Sequence, residues 1–97
     1  MPTYMMLTRF TDQGIRTIKD SPKRAEAFRK ACEKLGARVK DIYWTMGRYD
    51  VVAIVEAPDD VTMEAILYSL GSLGNIRTET LRAFTAQEAN QALAKMA

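Results

Sequence analysis

The run WTMGRYDVVAIVEAP, residues 44–58, holds the side chains best suited to chemistry: Trp44, Tyr49 and Asp50, with Gly47 between them. A tyrosine hydroxyl beside a carboxylate can orient a carbonyl or phenol substrate, and the aspartate can act as a general base if burial raises its pKa. Tyr43 and Trp44 fall in extended-looking sequence, where aromatics stack on a flat ligand or, more often, pack into a core or interface. Arg82, like Arg9 and Arg77, lies in strand-like sequence. An inward guanidinium there binds an anionic ligand or pairs with Glu79, Asp50 or Glu56, and pairing is favoured.

A plainer reading competes at each position. Gly47 supplies a turn conformation, Asp50 accepts backbone N–H groups at a strand start, and Tyr49 closes a core edge. Consecutive residues in an extended segment point to opposite faces, so Tyr49 and Asp50 should not share one small pocket. The candidate ligand-binding residues are therefore Tyr43, Trp44, Tyr49, Asp50 and Arg82, with Gly47 as a turn residue and no catalytic set assigned.

Composition removes other chemistries. The chain has no histidine and one cysteine, Cys32, so zinc sites built from several Cys or His, Ser-His-Asp triads and His-ligated haem have no ligands or bases here. No metal and no cofactor is expected. Cys32 falls in the apolar stripe of a helix and reads as a small core thiol, and the six methionines read as core filler rather than copper ligands. The 14 basic residues are interspersed with 12 acidic ones for a net charge of +2, which argues against nucleic acid. Arg16, Lys19, Lys23 and Arg24 flank a helix start that could hold an anion, but no Gly-rich loop precedes it and the cluster reads as a solvated face. The N-terminal residues lack the pattern of a leader and no apolar run is long enough to span a membrane, so a cytoplasmic location is expected.

The elements that must position these side chains follow from periodicity. Thr3 to Phe10 reads as a strand leading into a TDQG loop. Ser21 and Pro22 read as N-cap and first residue of a helix whose stripe is Ala25, Phe28, Ala31, Cys32 and Leu35, closed by Gly36. ARVKDIYWTM and DVVAIVEA read as a hairpin turning at Gly47, the second strand apolar on both faces and hence central. Asp59 or Asp60 caps a second helix with the stripe Val61, Met63, Ile66, Leu67, Leu70 and Leu73, ending at Gly74. NIRTETLRAF reads as an edge strand, and Thr85 with Glu88 forms a capping box for a terminal helix that docks weakly or packs on a partner.

The order β-α-β-β-α-β plus a C-terminal helix predicts one α+β domain over residues 1–97, the ferredoxin-like split βαβ fold with a four-stranded antiparallel sheet. Both helices then cover one face of the sheet. The other face would carry large apolar residues from several strands, more contiguous apolar surface than soluble monomers usually show. Two such faces packed about a two-fold axis would cover each other, so a homodimer or a larger even-numbered homo-oligomer is expected.

The segments LTRFTDQGIRTIKDSPKRAEAF, LGARVKDIYWTMGRYDVVAIVEAPDD and LGNIRTETLRAF, in that order, resemble the GYD-domain family, whose signature would here be Gly47, Tyr49 and Asp50. The resemblance implies a ferredoxin-like fold of the dimeric α/β-barrel type and a bacterial or archaeal protein, but no particular activity. Two functions stay open. One is a non-enzymatic oligomeric module that binds a small molecule or a protein partner. The other is a cofactor-free enzyme, monooxygenase- or isomerase-like, acting on a small aromatic or carbonyl compound through Tyr49, Asp50 and Arg82. The first is favoured, since no acid, base and nucleophile set can be assembled.

Overall fold

A computed structural model describes every residue from Met1 to Ala97. Its elements are β1 (Thr3–Phe10), α1 (Asp12–Arg16), a short 3₁₀ turn (Ile18–Asp20), α2 (Ser21–Lys34), β2 (Arg38–Trp44), β3 (Val51–Glu56), α3 (Asp60–Ser72), β4 (Ile76–Ala83) and α4 (Ala86–Ala94). The strands form one sheet in the order β2-β3-β1-β4 with every neighbouring pair antiparallel. With α2 and α3 as the crossovers this is the ferredoxin-like α+β architecture that the element order predicts.

Register divides the side chains between two faces. Tyr4, Met6 and Thr8 of β1 stand beside Val51, Ala53 and Val55 of β3, and all six are buried under α2 and α3. Met5 and Leu7 alternate to the other face, where they adjoin Val52, Ile54 and Leu81. No helix covers that face, and Leu81 stays 51% exposed. The imperfect alternation of β2 has a local cause. The register against β3 shifts between Val39 and Asp41, so a bulge at Lys40 lets Val39 and Ile42 both reach the helix side.

Three features depart from the sequence reading. TDQG is not a loop: the Thr11 side chain accepts the Gly14 N–H and starts the one-and-a-half turns of α1. Ser21 is not the N-cap of α2 but its first helical residue. The cap position is Asp20, where the 3₁₀ turn runs straight into α2 and no side-chain cap bond forms, and the Ser21 hydroxyl is instead engaged by Trp44. Third, Leu35, Val61 and Leu73 are exposed although their spacing puts them on apolar stripes, since they sit at the ends of α2 and α3 where packing is thinnest. Gly36, Gly47 and Gly74 all have positive φ, as their turn and C-cap positions require.

The core joins Tyr4, Met6, Phe28, Cys32, Val55, Met63 and Ile66. Burial, and secondarily the charge of Glu33, pushes the Cys32 thiol up to about 11. At the far end the Thr85–Glu88 capping box closes as its spacing predicts, yet α4 buries no residue. The radius of gyration, 14.6 Å, exceeds the roughly 12.5 Å typical of a compact chain this long. A tail that docks so little accounts for the excess. No helix is long and apolar enough to cross a membrane.

Candidate functional site

A concavity of mainly apolar lining lies between α2, α3 and the helix side of the sheet, with a volume of about 350 Å³. It exists because the side chains of α2 facing α3 are largely alanines, so the two helices do not close over the sheet. Phe28 and Ala31 of α2, Ile66 and Leu70 of α3, and Met6, Phe10 and Ile42 of the sheet form its walls. Its polar groups are few: Thr8, Ser21, Arg24, Ser69 and Asn75. Arg24 is occupied, donating to the carbonyls of Gly14 and Thr17 and to the Thr17 hydroxyl at 3.0–3.3 Å.

Of the five candidate residues only Trp44 lines this cavity. Its position on the helix side of β2 brings its Nε1 to donate to Ser21 Oγ at 2.9 Å, which fixes the indole as a wall. Tyr43, one residue earlier, stands on the open face opposite Val52 and is 59% exposed.

Tyr49 and Asp50 part company. Tyr49 donates its hydroxyl to Glu79 Oε2 at 3.0 Å, and the guanidinium groups of Arg9 and Arg48 lie over its ring, 5.4 and 5.7 Å from the ring centre. Asp50 turns to the end of β1, where its Oδ2 accepts the Phe10 N–H at 2.9 Å. Gly47, at φ 99°, reverses the chain before them.

Arg82 belongs to a fourth place, on the helix side of β4 across from Tyr4. Its guanidinium stacks 4.5 Å from the Phe84 ring centre and lies 3.6 Å from Glu88 and 3.9 Å from Asp60. The Tyr4 hydroxyl donates to Asp60, and burial followed by that bond pushes the Tyr4 phenol up to about 12. The arginine partners expected from sequence are corrected here. Arg82 pairs with Glu88 and Asp60, Glu56 pairs with Arg38 at 2.9 Å, and Arg9 stacks on Tyr49 and donates to the Arg48 carbonyl. The reason is register, which sets Arg38 directly opposite Glu56 and carries Arg82 to the α4 end of the sheet.

The five residues thus occupy separate surroundings: a cavity wall, the open face, a ring stacked by two arginines, a strand-end clasp and an ion cluster beside α4. Tyr49, Asp50 and Arg82 do not converge, and no group of three or more acidic or cysteine side chains is placed to hold a metal. Sequence reasoning gave no site role to Thr8 or Tyr4, read Ser21 only as a helix cap, and offered Glu79 to an arginine rather than to Tyr49. Thr8 carried a signal, because a hydroxyl two residues on from Met6 on a face otherwise apolar needs a reason.

Comparison with known proteins agrees with this architecture. A relative from Thermus thermophilus, named glutamine synthetase and cystathionine beta-lyase binding protein, is 37% identical over 84 residues, covering 86% of this chain and 88% of its own. A crystal structure of a Thermus thermophilus protein superposes with a TM-score of 0.58 at 31% identity, covering 89% of this chain and 96% of that one. The leucine response regulatory protein of Mycobacterium tuberculosis shares the fold alone, with a TM-score of 0.60 at 18% identity, over 88% of this chain and 51% of that chain. The model of the GYD domain matches residues 4–93, so that the Gly47–Tyr49–Asp50 hairpin, the sheet it closes and the helices behind it place this chain in the GYD domain family.

Proposed function

We propose that the protein is a non-catalytic binding module that pairs with a second copy of itself through the open face of its sheet and, so assembled, holds a protein partner. The observation that carries this reading is the composition of that face. Its middle is apolar, with Met5, Leu7, Val52, Ile54 and Leu81 adjoining. Its margin is charged, with Arg38 and Glu56 at one end and Arg9 and Glu79 around Tyr49 at the other. An apolar centre with a polar rim of both signs is how a self-complementary interface is built.

The sheet face alone falls short of a standard interface, which brings in α4. Four strands about 4.8 Å apart and seven residues long present roughly 400 Å² of projected surface, below the about 800 Å² per partner of a standard interface. The projecting helix offers the remainder, for Phe84, Leu93 and Met96 are 60–72% exposed. Only 15 residues are buried while 14 large hydrophobic residues are exposed, a balance that favours association over a lone monomer. Dispersal of Tyr49, Asp50 and Arg82 over separate surroundings supports binding rather than catalysis. The name of the Thermus relative supports a metabolic enzyme, glutamine synthetase first, as the partner.

The test is light-scattering chromatography of the protein alone and mixed with glutamine synthetase of the same organism, compared with Ile54→Glu. A dimer or larger even-numbered assembly that co-elutes with the enzyme, and whose self-association Ile54→Glu abolishes, is expected. A monomeric wild-type protein that elutes apart from the enzyme would sink the proposal.

A further inference from the structure

We infer that the cavity between α2, α3 and the sheet is a binding site for a compact, uncharged, flat molecule bearing a hydrogen-bonding oxygen. This site lies on the side of the sheet away from the self-pairing face, and the inference does not depend on self-association.

Size sets the first limit. An engineered cavity of about 150 Å³ admits benzene, so the about 350 Å³ here has room for a two-ring molecule of roughly a dozen heavy atoms. Lining sets the second. Fifteen of the twenty residues around it are hydrophobic, and Trp44, Phe28 and Phe10 supply aromatic surfaces against which a flat ring system packs. Charge sets the third. No carboxylate lines the cavity, and its only cation, Arg24, is already spent on backbone carbonyls. A cation would lose its hydration with no opposite charge to replace it, and an anion would meet only a guanidinium whose N–H groups are held by the Gly14 and Thr17 carbonyls and the Thr17 hydroxyl.

The oxygen follows from Thr8. This residue is 3% exposed and lines the cavity, yet its hydroxyl enters none of the hydrogen bonds of the chain. No buried side-chain oxygen or nitrogen is sealed off without a partner, so the Thr8 hydroxyl keeps its accessibility through the cavity itself. A hydroxyl without a protein partner that opens into an apolar cavity is available to a ligand oxygen there. Ser21 stands on the same cavity with its oxygen already accepting from Trp44, which leaves its O–H free to donate. The two hydroxyls suit a phenol, ketone or quinone-like oxygen. Leu35 and Leu73, exposed at the C-terminal ends of α2 and α3, also line the cavity.

Trp44 is the one tryptophan, so its indole N–H gives a single reporter on the wall of the site. We would follow that resonance by amide-correlation NMR while titrating β-naphthol, with naphthalene as the oxygen-free probe and naphthalenesulfonate as the charged one. Expected is a saturable shift with β-naphthol, weaker binding of naphthalene and none of the sulfonate. Thr8→Val should weaken β-naphthol about fivefold and leave naphthalene unchanged, whereas Thr8→Ser keeps wild-type affinity. Ala31→Phe, at an exposed position on the wall, should block both probes by filling the cavity with its own ring. The proposal is overturned if the indole shift does not saturate, or if Thr8→Val binds both probes as the wild type does.

Discussion

Asp50 Oδ2 accepts the backbone N–H of Phe10 at 2.9 Å, while the main chain of Asp50 donates to the Thr8 carbonyl at 2.8 Å and accepts from Thr45 at 2.9 Å. One residue thereby clasps the β2–β3 hairpin to the end of β1. Asp50→Ala leaves the Phe10 N–H without its partner and should lower stability by about 1–3 kcal/mol, read from the urea midpoint. Asp50→Asn keeps an acceptor oxygen and should lose less. Equal midpoints for Asp50→Ala and wild type would remove the clasp from the account.

Gly47 has φ 99°, and nothing lies within 4 Å of where its Cβ would be. The expected penalty for Gly47→Ala is purely conformational, about 1–2 kcal/mol. Gly47→Asn should cost less, since asparagine tolerates positive φ better. A penalty for Asn as large as that for Ala would show that contacts, not backbone, set the preference.

Gly14 and Gly71 should respond in opposite directions. A Cβ on Gly14 would stand 1.9 Å from the Asn75 carbonyl oxygen, where Thr11 also binds the Gly74 and Asn75 carbonyls. Backbone cannot yield as a side chain does, so Gly14→Ala should destabilise by at least about 2 kcal/mol. Gly71 lies inside α3 with open space around it, and Gly71→Ala should raise stability by about 0.4–1 kcal/mol. Thermal denaturation of the pair decides both, and a neutral Gly14→Ala would contradict the packing described.

The α4 capping box should titrate. Its Thr85 N–H bond, and the nearby Arg82 guanidinium after it, hold the Glu88 carboxyl below its ordinary value of 4.5. A carboxyl depressed in the folded state adds stability that is complete above the ordinary value and is lost as pH falls through the lowered one. Helicity followed by circular dichroism should therefore drop at acid pH first at α4. Glu88→Gln should keep the box and flatten that drop, and an unchanged acid profile in Glu88→Gln would assign the loss to other carboxylates.

Cys32 is fully buried with its thiol pushed up to about 11, so a thiolate forms neither readily nor within reach of solvent. Labelling by a disulfide reagent at mildly alkaline pH should follow unfolding, accelerating in urea in step with loss of the fold. Rapid labelling of the native protein would place Cys32 outside the core.

Much of this protein is legible in its sequence because the signals are local. The apolar and aromatic run from Thr3 to Phe10, the three- and four-residue stripe through Phe28 and Cys32, the glycines closing each turn, and the Thr85–Glu88 pair each specify an element through neighbours a few residues away. Element order then leaves the ferredoxin-like sheet with one open face. What the tertiary structure alone decided is which side chains meet. Tyr49 with Glu79, Asp50 with Phe10, and Trp44 with Ser21 are separated by 30, 40 and 23 positions. Those pairings depend on strand register and on the bulge at Lys40, and a one-residue slip would send every side chain of a strand to the other face. The cavity beside Thr8 is hidden for the same reason: its volume is the difference between how closely α2 and α3 could approach and how closely their alanines and leucines let them, a property of the packed layers and of no single stretch of chain.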